Sequence, residues 1–217
     1  MLRLHAIADF ASTIPHLALV QIGQPFDIAW EDIDAGSLNA PAYRKINPLG
    51  LIPSMETPDG PMFETGAIMH YLMDRHPGTL GPGPGDVGRG RFLSWLWFTA
   101  NTLHPLAMQI VHPERVAGEA AQVEVGRASV AQVADRLSYF EAALAADTTL
   151  GHLAIAFYVA VLVRWVQIFA ANPADRLDLG PFPAVRALLA RVEAMPASRK
   201  VAQIEGIGDT PFTAPKG

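Results

Sequence analysis

The residues able to do chemistry are few, and they sit at the starts of predicted helices and strands. Ser12 and Thr13 open an apolar helical stretch that follows a strand-like segment at Leu2–Ala6. Free N–H groups and the positive end of a helix dipole favour an anion at such a point. They also lower the pKa of a thiol held there, which is ordinarily about 8.5. A hydroxyl in that position is equally an ordinary helix cap. Glu64 and Thr65 repeat the arrangement before a second helical stretch, Thr65 as the cap and Glu64 as a charge near a helix start. Pro53 begins another strand-like segment and, from the residues alone, reads as an ordinary trans proline. His104 is a lone histidine on an apolar, Trp-rich segment, the usual setting of a satisfied core side chain. Trp95, Trp97 and Phe98 read as core and wall. The chain has no cysteine. A disulfide framework, a thiolate metal site and protein-thiol redox chemistry are therefore excluded. Any thiol chemistry must use a ligand's thiol, and no metal site is expected.

These positions need elements to hold them. Of the 217 residues, half are apolar and 17% are charged, with a net charge of −5. That allows one large domain or two small ones with a real core and is too apolar for disorder. A mildly acidic chain without runs of Lys or Arg lacks the footprint of a nucleic-acid binder. Arg3 and His5 interrupt the first apolar residues, so no signal peptide is expected. The apolar run Leu153–Val163 falls well short of the ~20 residues of a membrane span and reads as a buried helix. A soluble, cytoplasmic protein is expected.

Leu2, Leu4 and Ala6 alternate with Arg3 and His5, which predicts a strand. Ile14, Leu17 and Ala18 share a helix face, with Pro15 in the first turn and Gly23 as the stop. Phe26, Ile28 and Trp30 alternate again, and Asp32–Pro48 reads as a loop with an irregular helix. Thr57-Pro58-Asp59-Gly60 is a turn between two short strands, and Ala67, Ile68, Tyr71 and Leu72 predict a further helix. The order β-α-β-α-β-β-α is that of the thioredoxin fold, parallel in its first half and a hairpin in its second. A Pro/Gly-rich linker at 79–86 separates this domain, 1–78, from residues 87–217, where only helical periodicity occurs. The fold class is an α/β thioredoxin-like N-terminal domain followed by an all-α C-terminal domain.

Four segments then carry a resemblance. Asn47-Pro-Leu-Gly-Leu-Ile-Pro-Ser54, Phe63-Glu-Thr-Gly-Ala-Ile68, Leu103-His-Pro105 and Arg191-Val-Glu-Ala-Met-Pro-Ala-Ser198 resemble, in this order and spacing, segments of the glutathione transferase superfamily. The resemblance covers nearly the whole chain, and Ala11–Leu19 is most similar to bacterial beta-type members. It implies a cis peptide before Pro53, turning the backbone of Ile52 outward to pair with glutathione as an added strand. It implies that the helix start at Thr65 takes the γ-glutamyl carboxylate and that Glu64 takes the ammonium. Ser12, or Thr13 in its place, would stabilise the glutathione thiolate. His104 would face the second-substrate pocket, a role that stands beside the core reading. Conjugation of glutathione to an apolar electrophile and a homodimer follow from the same resemblance.

The sequence also departs from the family. Beta-type members carry a cysteine immediately before the serine, and here that position is Ala11, which excludes a mixed disulfide between protein and glutathione. Leu51 stands where a ligand-binding polar residue is often found. No cation is assigned to the glycyl carboxylate, although Arg44 and Lys45 are near in sequence. Ala154 and Phe157 occupy the positions of a Ser/Thr-x-x-Asp helix cap, whose loss costs ~0.5–2 kcal/mol. A non-catalytic binding protein of this fold, or a glutathione-dependent isomerase, are the alternatives. A disulfide reductase is disfavoured.

Overall fold

The computed structural model describes residues 1–170 and 172–216. In chain order its main elements are β1 (Leu2–Ala6), α1 (Thr13–Ile22), β2 (Phe26–Trp30), α2 (Pro41–Arg44), β3 (Ser54–Thr57), β4 (Gly60–Phe63) and α3 (Thr65–Arg75). They continue with α4 (Arg89–Phe98), α5 (His104–Val111), α6 (Gln122–Ala146), α7 (Leu153–Ile168), α8 (Pro183–Glu193) and α9 (Pro196–Glu205). Contacts group them into two compact units. The first is Met1–Arg89 with Pro196–Ile207; the second is Gly90–Met195 with the residues from Gly208 on. The segment 196–207, which the sequence assigns to the helical domain, thus groups with the N-terminal residues.

The first unit is built on a four-stranded sheet of order β2-β1-β3-β4. β1 and β2 run parallel, and the remaining pairs are antiparallel, as the crossover and the hairpin predict. Leu4 and Met55 pair across β1 and β3 and are fully buried, as are Ile14 and Leu17 of α1 and Ile68, Met69 and Leu72 of α3. Burial of this kind is the main driving force of the fold, worth ~1.5–3 kcal/mol for each large apolar side chain. α1 ends at Gly23, whose φ of 76° is a left-handed conformation that costs glycine nothing; its N–H closes onto Leu19 O. In the hairpin turn the Thr57 hydroxyl donates to Gly60 O (2.8 Å) and accepts from Asp59 N (3.1 Å).

One row of the sheet decides where the candidate residues go. His5 of β1 pairs with Ser54 of β3, and Ser54 pairs with Phe63 of β4. The chain leaves β1 toward Ser12, enters β3 from Ile52–Pro53 and leaves β4 into Glu64–Thr65. All three connections therefore meet at one end of the sheet.

The second unit is helical. α4 passes through a π-helical turn, Thr99–Leu103, into α5. The wider turn accommodates an extra residue where α4 and α5 join. Every residue of α7 from Ala154 to Val166 is buried. Ala154 and Phe157 are part of that core, and His152 at its start makes no side-chain cap. The turn before α7 is braced instead by Asp147, which accepts from Thr149 N (3.0 Å), and by Arg191, which donates to Gly151 O. Glu141 caps α8 from outside, accepting from Ala184 N and Val185 N at 2.8 Å each. Among the described residues no helix is long and apolar enough to cross a membrane.

Candidate functional site

The loop from β1 to α1 is folded back on itself through Ser12. The Ser12 hydroxyl donates to Ile7 O (2.9 Å) and accepts from Ile7 N (3.1 Å). It is fully buried. Ser12 stands at the N-cap of α1, as expected, but in a right-handed helical conformation and without a cap bond to the helix. Thr13 donates its hydroxyl proton to the Glu205 carboxylate at 2.6 Å and is also buried. Neither hydroxyl is free in this arrangement. No acidic residue lies in the first turn of α1 and no side chain caps it; its leading N–H groups donate to backbone, Thr13 N to Phe10 O (2.9 Å) and Ile14 N to Ala11 O (3.3 Å), so what the helix start offers an anion is the positive end of its dipole.

The Ile52–Pro53 peptide is cis. The bend before it is held at one atom, the Leu51 carbonyl oxygen. Tyr43 OH (2.6 Å) and Asn47 Nδ2 (2.7 Å) donate to it, and the single proton of Ser54 Oγ is shared between it (3.3 Å) and the Tyr43 oxygen (3.0 Å). Burial pushes the Tyr43 phenol above its usual pKa; the hydrogen bond from Ser54 opposes this and the Glu31 charge adds to it. The phenol therefore stays a donor. Gly50 precedes the bend at φ 63°, and a Cβ there would stand 2.8 Å from Leu38 O and 2.6 Å from Arg44 Cζ. Only glycine fits both demands. Arg44 donates to Pro48 O (2.6 Å) and Asn39 Oδ1 (2.7 Å), so its guanidinium shapes this same loop. Among the described residues neither the N–H nor the carbonyl of Ile52 has a hydrogen-bond partner.

At the third connection the structure shifts one assignment by a residue. Glu64, not Thr65, is the N-cap of α3, and Thr65 is the first helical residue. The reason is backbone conformation: Glu64 has φ 73°, outside helical geometry. A non-glycine residue in this region is strained, and such strain collects at functional sites. The Glu64 carboxylate is exposed and has no partner among the described residues, while Thr65 is buried. The start of α3, like that of α1, has no side-chain cap and no acid in its first turn.

His104 belongs to the second unit. Its Nδ1 lies 2.8 Å from Tyr158 OH, and its ring meets those of Tyr158 and Trp165 at 5.5 and 5.8 Å. Burial lowers its pKa from 6.5 to about 4. His104 is thus neutral at neutral pH, and the Tyr158 hydroxyl can donate to Nδ1. The unfolded chain takes up a proton near pH 6.5 and the folded chain only near pH 4. The stability this group contributes is present above pH 6.5 and is lost as pH falls through that window. A decrease of about 2 kcal/mol is expected between neutral pH and about pH 5. Urea denaturation of the unmodified protein and of His104→Gln at both pH values checks this; the variant's profile should be flatter.

Residues 15–80 match the family model described as Glutathione S-transferase, N-terminal domain. Glutathione S-transferase F10 of Arabidopsis thaliana is 31% identical over 137 residues, 59% of this chain and 62% of that protein. A solved sphingomonad glutathione S-transferase complexed with glutathione has a TM-score of 0.77 at 23% identity, covering 95% of this chain and 100% of that one. The chain has the fold of the glutathione S-transferase superfamily. The expected fold, a thioredoxin-like unit followed by helices, is the fold of that superfamily. Its match extends to elongation factor 1-gamma of Prunus avium, 50% identical over 42 residues, which are 19% of this chain and 10% of that protein. In both curated relatives the match spans less than two thirds of the relative's own length.

Within this superfamily fold, sequence reasoning missed several residues that hold the site. Tyr43 and Asn47 fix the Leu51 carbonyl, Glu205 and His16 lie under the α1 start, and Tyr158 orients His104. Asn47 alone carried a usable signal: a polar residue one position before Pro48 in the quoted motif, and it is 2% exposed.

Proposed function

We propose that this protein is a glutathione transferase, binding glutathione at the end of the sheet and directing its thiolate at an apolar electrophile. The carrying observation is the convergence of three features in one unit. They are the unpartnered backbone of Ile52, the uncapped start of α3 beside the free Glu64 carboxylate, and the uncapped start of α1. In this reading Ile52 pairs with the peptide through N–H and C=O, with cis-Pro53 beside it. The first N–H groups of α3, at Thr65, receive the γ-glutamyl carboxylate, and Glu64 receives the ammonium. The thiolate lies at the start of α1, stabilised by the helix end. The Ser12 hydroxyl joins it by turning from Ile7 O. His104 serves the second-substrate pocket as a neutral imidazole. A cytoplasmic homodimer completes the proposal.

Glutathione bound in the sphingomonad structure supports this reading. The protein contributes orientation and charge stabilisation and has no nucleophile of its own. Calorimetric titration with glutathione tests it. Binding in the micromolar to low-millimolar range is expected; no heat at any concentration sinks the proposal. Ser12→Ala is expected to slow conjugation about tenfold to a hundredfold, in the range of a lost donor to a developing anion. A second reading, a non-catalytic binding protein, draws on the committed state of the Ser12 hydroxyl. Unchanged conjugation rates in Ser12→Ala, or none in the unmodified protein, would favour it.

A further inference from the structure

A buried carboxylate lies beneath the proposed thiol site, and it comes from the far end of the chain. Glu205, the last residue of α9, has a side chain with no exposed surface. Its Oε2 accepts from Thr13 Oγ1 at 2.6 Å and from Asp9 N at 3.0 Å. Its Oε1 lies 2.6 Å from His16 Nδ1. A carboxylate taken out of water costs several kcal/mol unless its lone pairs are filled, and here three donors fill them. All three belong to the chain between β1 and the first turns of α1.

The arrangement is not a nucleophile relay. Thr13 gives its proton to the carboxylate and not to the imidazole, and Thr13, His16 and Glu205 are all inaccessible. Among the described residues His16 Nε2 has no hydrogen-bond partner; the imidazole lies edge to face with Phe26 and Trp30 at 5.9 and 6.1 Å. Its side-chain polar contact among the described residues is the one with Glu205. The carboxylate instead pins backbone. Asp9 is one of two non-glycine residues with positive φ among the described residues, at 60°. A strained residue persists only where its surroundings over-determine it, and the Glu205 carboxylate is the acceptor for its N–H. Three residues later the chain reaches Ser12.

We infer that Glu205 is a positioning residue for the start of α1, fixing the Asp9–Thr13 backbone so that the helix end and Ser12 face the thiol. This rests on the glutathione transferase reading above. Glu205 acts as a hydrogen-bond acceptor. Glutamine keeps an oxygen for Asp9 and Thr13, and its amide can donate to the other tautomer of His16. Glu205→Gln therefore preserves function, and Glu205→Ala does not.

The test measures the glutathione thiol pKa on the protein by thiolate absorbance against pH, together with kcat and the glutathione Kd. In Glu205→Ala the thiol pKa is expected to rise by about one unit, a tenfold loss of thiolate at neutral pH. kcat should fall by the same factor while Kd stays within about twofold, because α3 holds the other end of the ligand. Glu205→Gln should stay within about twofold in all three. Thr13→Val, which removes one donor and keeps the volume, should move the thiol pKa in the same direction by less. It serves if Glu205→Ala fails to fold.

A folded Glu205→Ala with unchanged thiol pKa overturns the inference. So does loss in Gln equal to loss in Ala, or a rise in Kd alone. If the unmodified protein binds no glutathione, the functional reading fails first. Amide exchange of the ligand-free protein then decides the positioning role. Faster exchange at Asp9–Thr13 in Thr13→Val or Glu205→Ala, with α3 unchanged, supports it, and equal exchange overturns it.

Discussion

Glu64→Ala is expected to weaken glutathione binding by about tenfold to a hundredfold while leaving the protein as stable as before. The two halves follow from separate observations. The carboxylate is exposed and has no partner among the described residues, so folding gains nothing from it. Alanine meets the same backbone cost at φ 73° that glutamate already bears. In the bound state, however, the carboxylate is proposed to hold the γ-glutamyl ammonium. A hydrogen bond between charged groups contributes about 1.5–3 kcal/mol, which is about tenfold to a hundredfold in Kd. Calorimetry and thermal unfolding on the same variant check both halves. Binding equal to that of the unmodified protein would remove Glu64 from the site. A large loss of stability would show that its role is structural.

The second large effect lies in the helical unit. Phe157→Ala is expected to cost about 3–5 kcal/mol, the range for removing an aromatic side chain from a packed core. Phe157 is fully buried, and α7 has no side-chain cap to offset a loss of packing. Since a domain is stable by about 5–15 kcal/mol, the variant should sit near the edge of folding at room temperature. Urea denaturation measures it: the midpoint should fall with the slope unchanged. A cost below about 1 kcal/mol would mean that neighbouring helices collapse into the space, and α7 would then be no centre of the core.

The elements were legible because each has a short-range cause. The alternation in Leu2–Ala6, the Thr57–Gly60 turn and the i, i+3, i+4 spacing of Ile14, Leu17 and Ala18 in α1 depend only on near neighbours. The cis peptide at Ile52–Pro53 was legible through resemblance, since the residues alone favour trans. What failed was anything decided by a distant partner. Thr65 has the hydroxyl of a cap, yet the sharp exit from β4 puts Glu64 there. Ser12 looks like a free hydroxyl at a helix start, but the loop returns it to Ile7, five residues back. Glu205 drew no assignment from the sequence. Its burial depends on α9 packing beside α1, and no pattern within α9 encodes that.

The discontinuity of the first unit has a consequence for how the protein is made. A ribosome adding roughly 5–20 residues per second needs roughly 10–40 s to travel from Thr13 to Glu205. Within that interval α1 and then the whole sheet are made, while the acceptor for Asp9 N, Thr13 and His16 has not been synthesised. The nascent chain must carry a histidine and a hydroxyl bound for an apolar interior with nothing to receive them. Completion of the N-terminal unit therefore waits for the synthesis of α9, although all of its strands are made first. A chain ending at Arg89 would hold the whole sheet and leave Asp9 N, Thr13 and His16 without their acceptor.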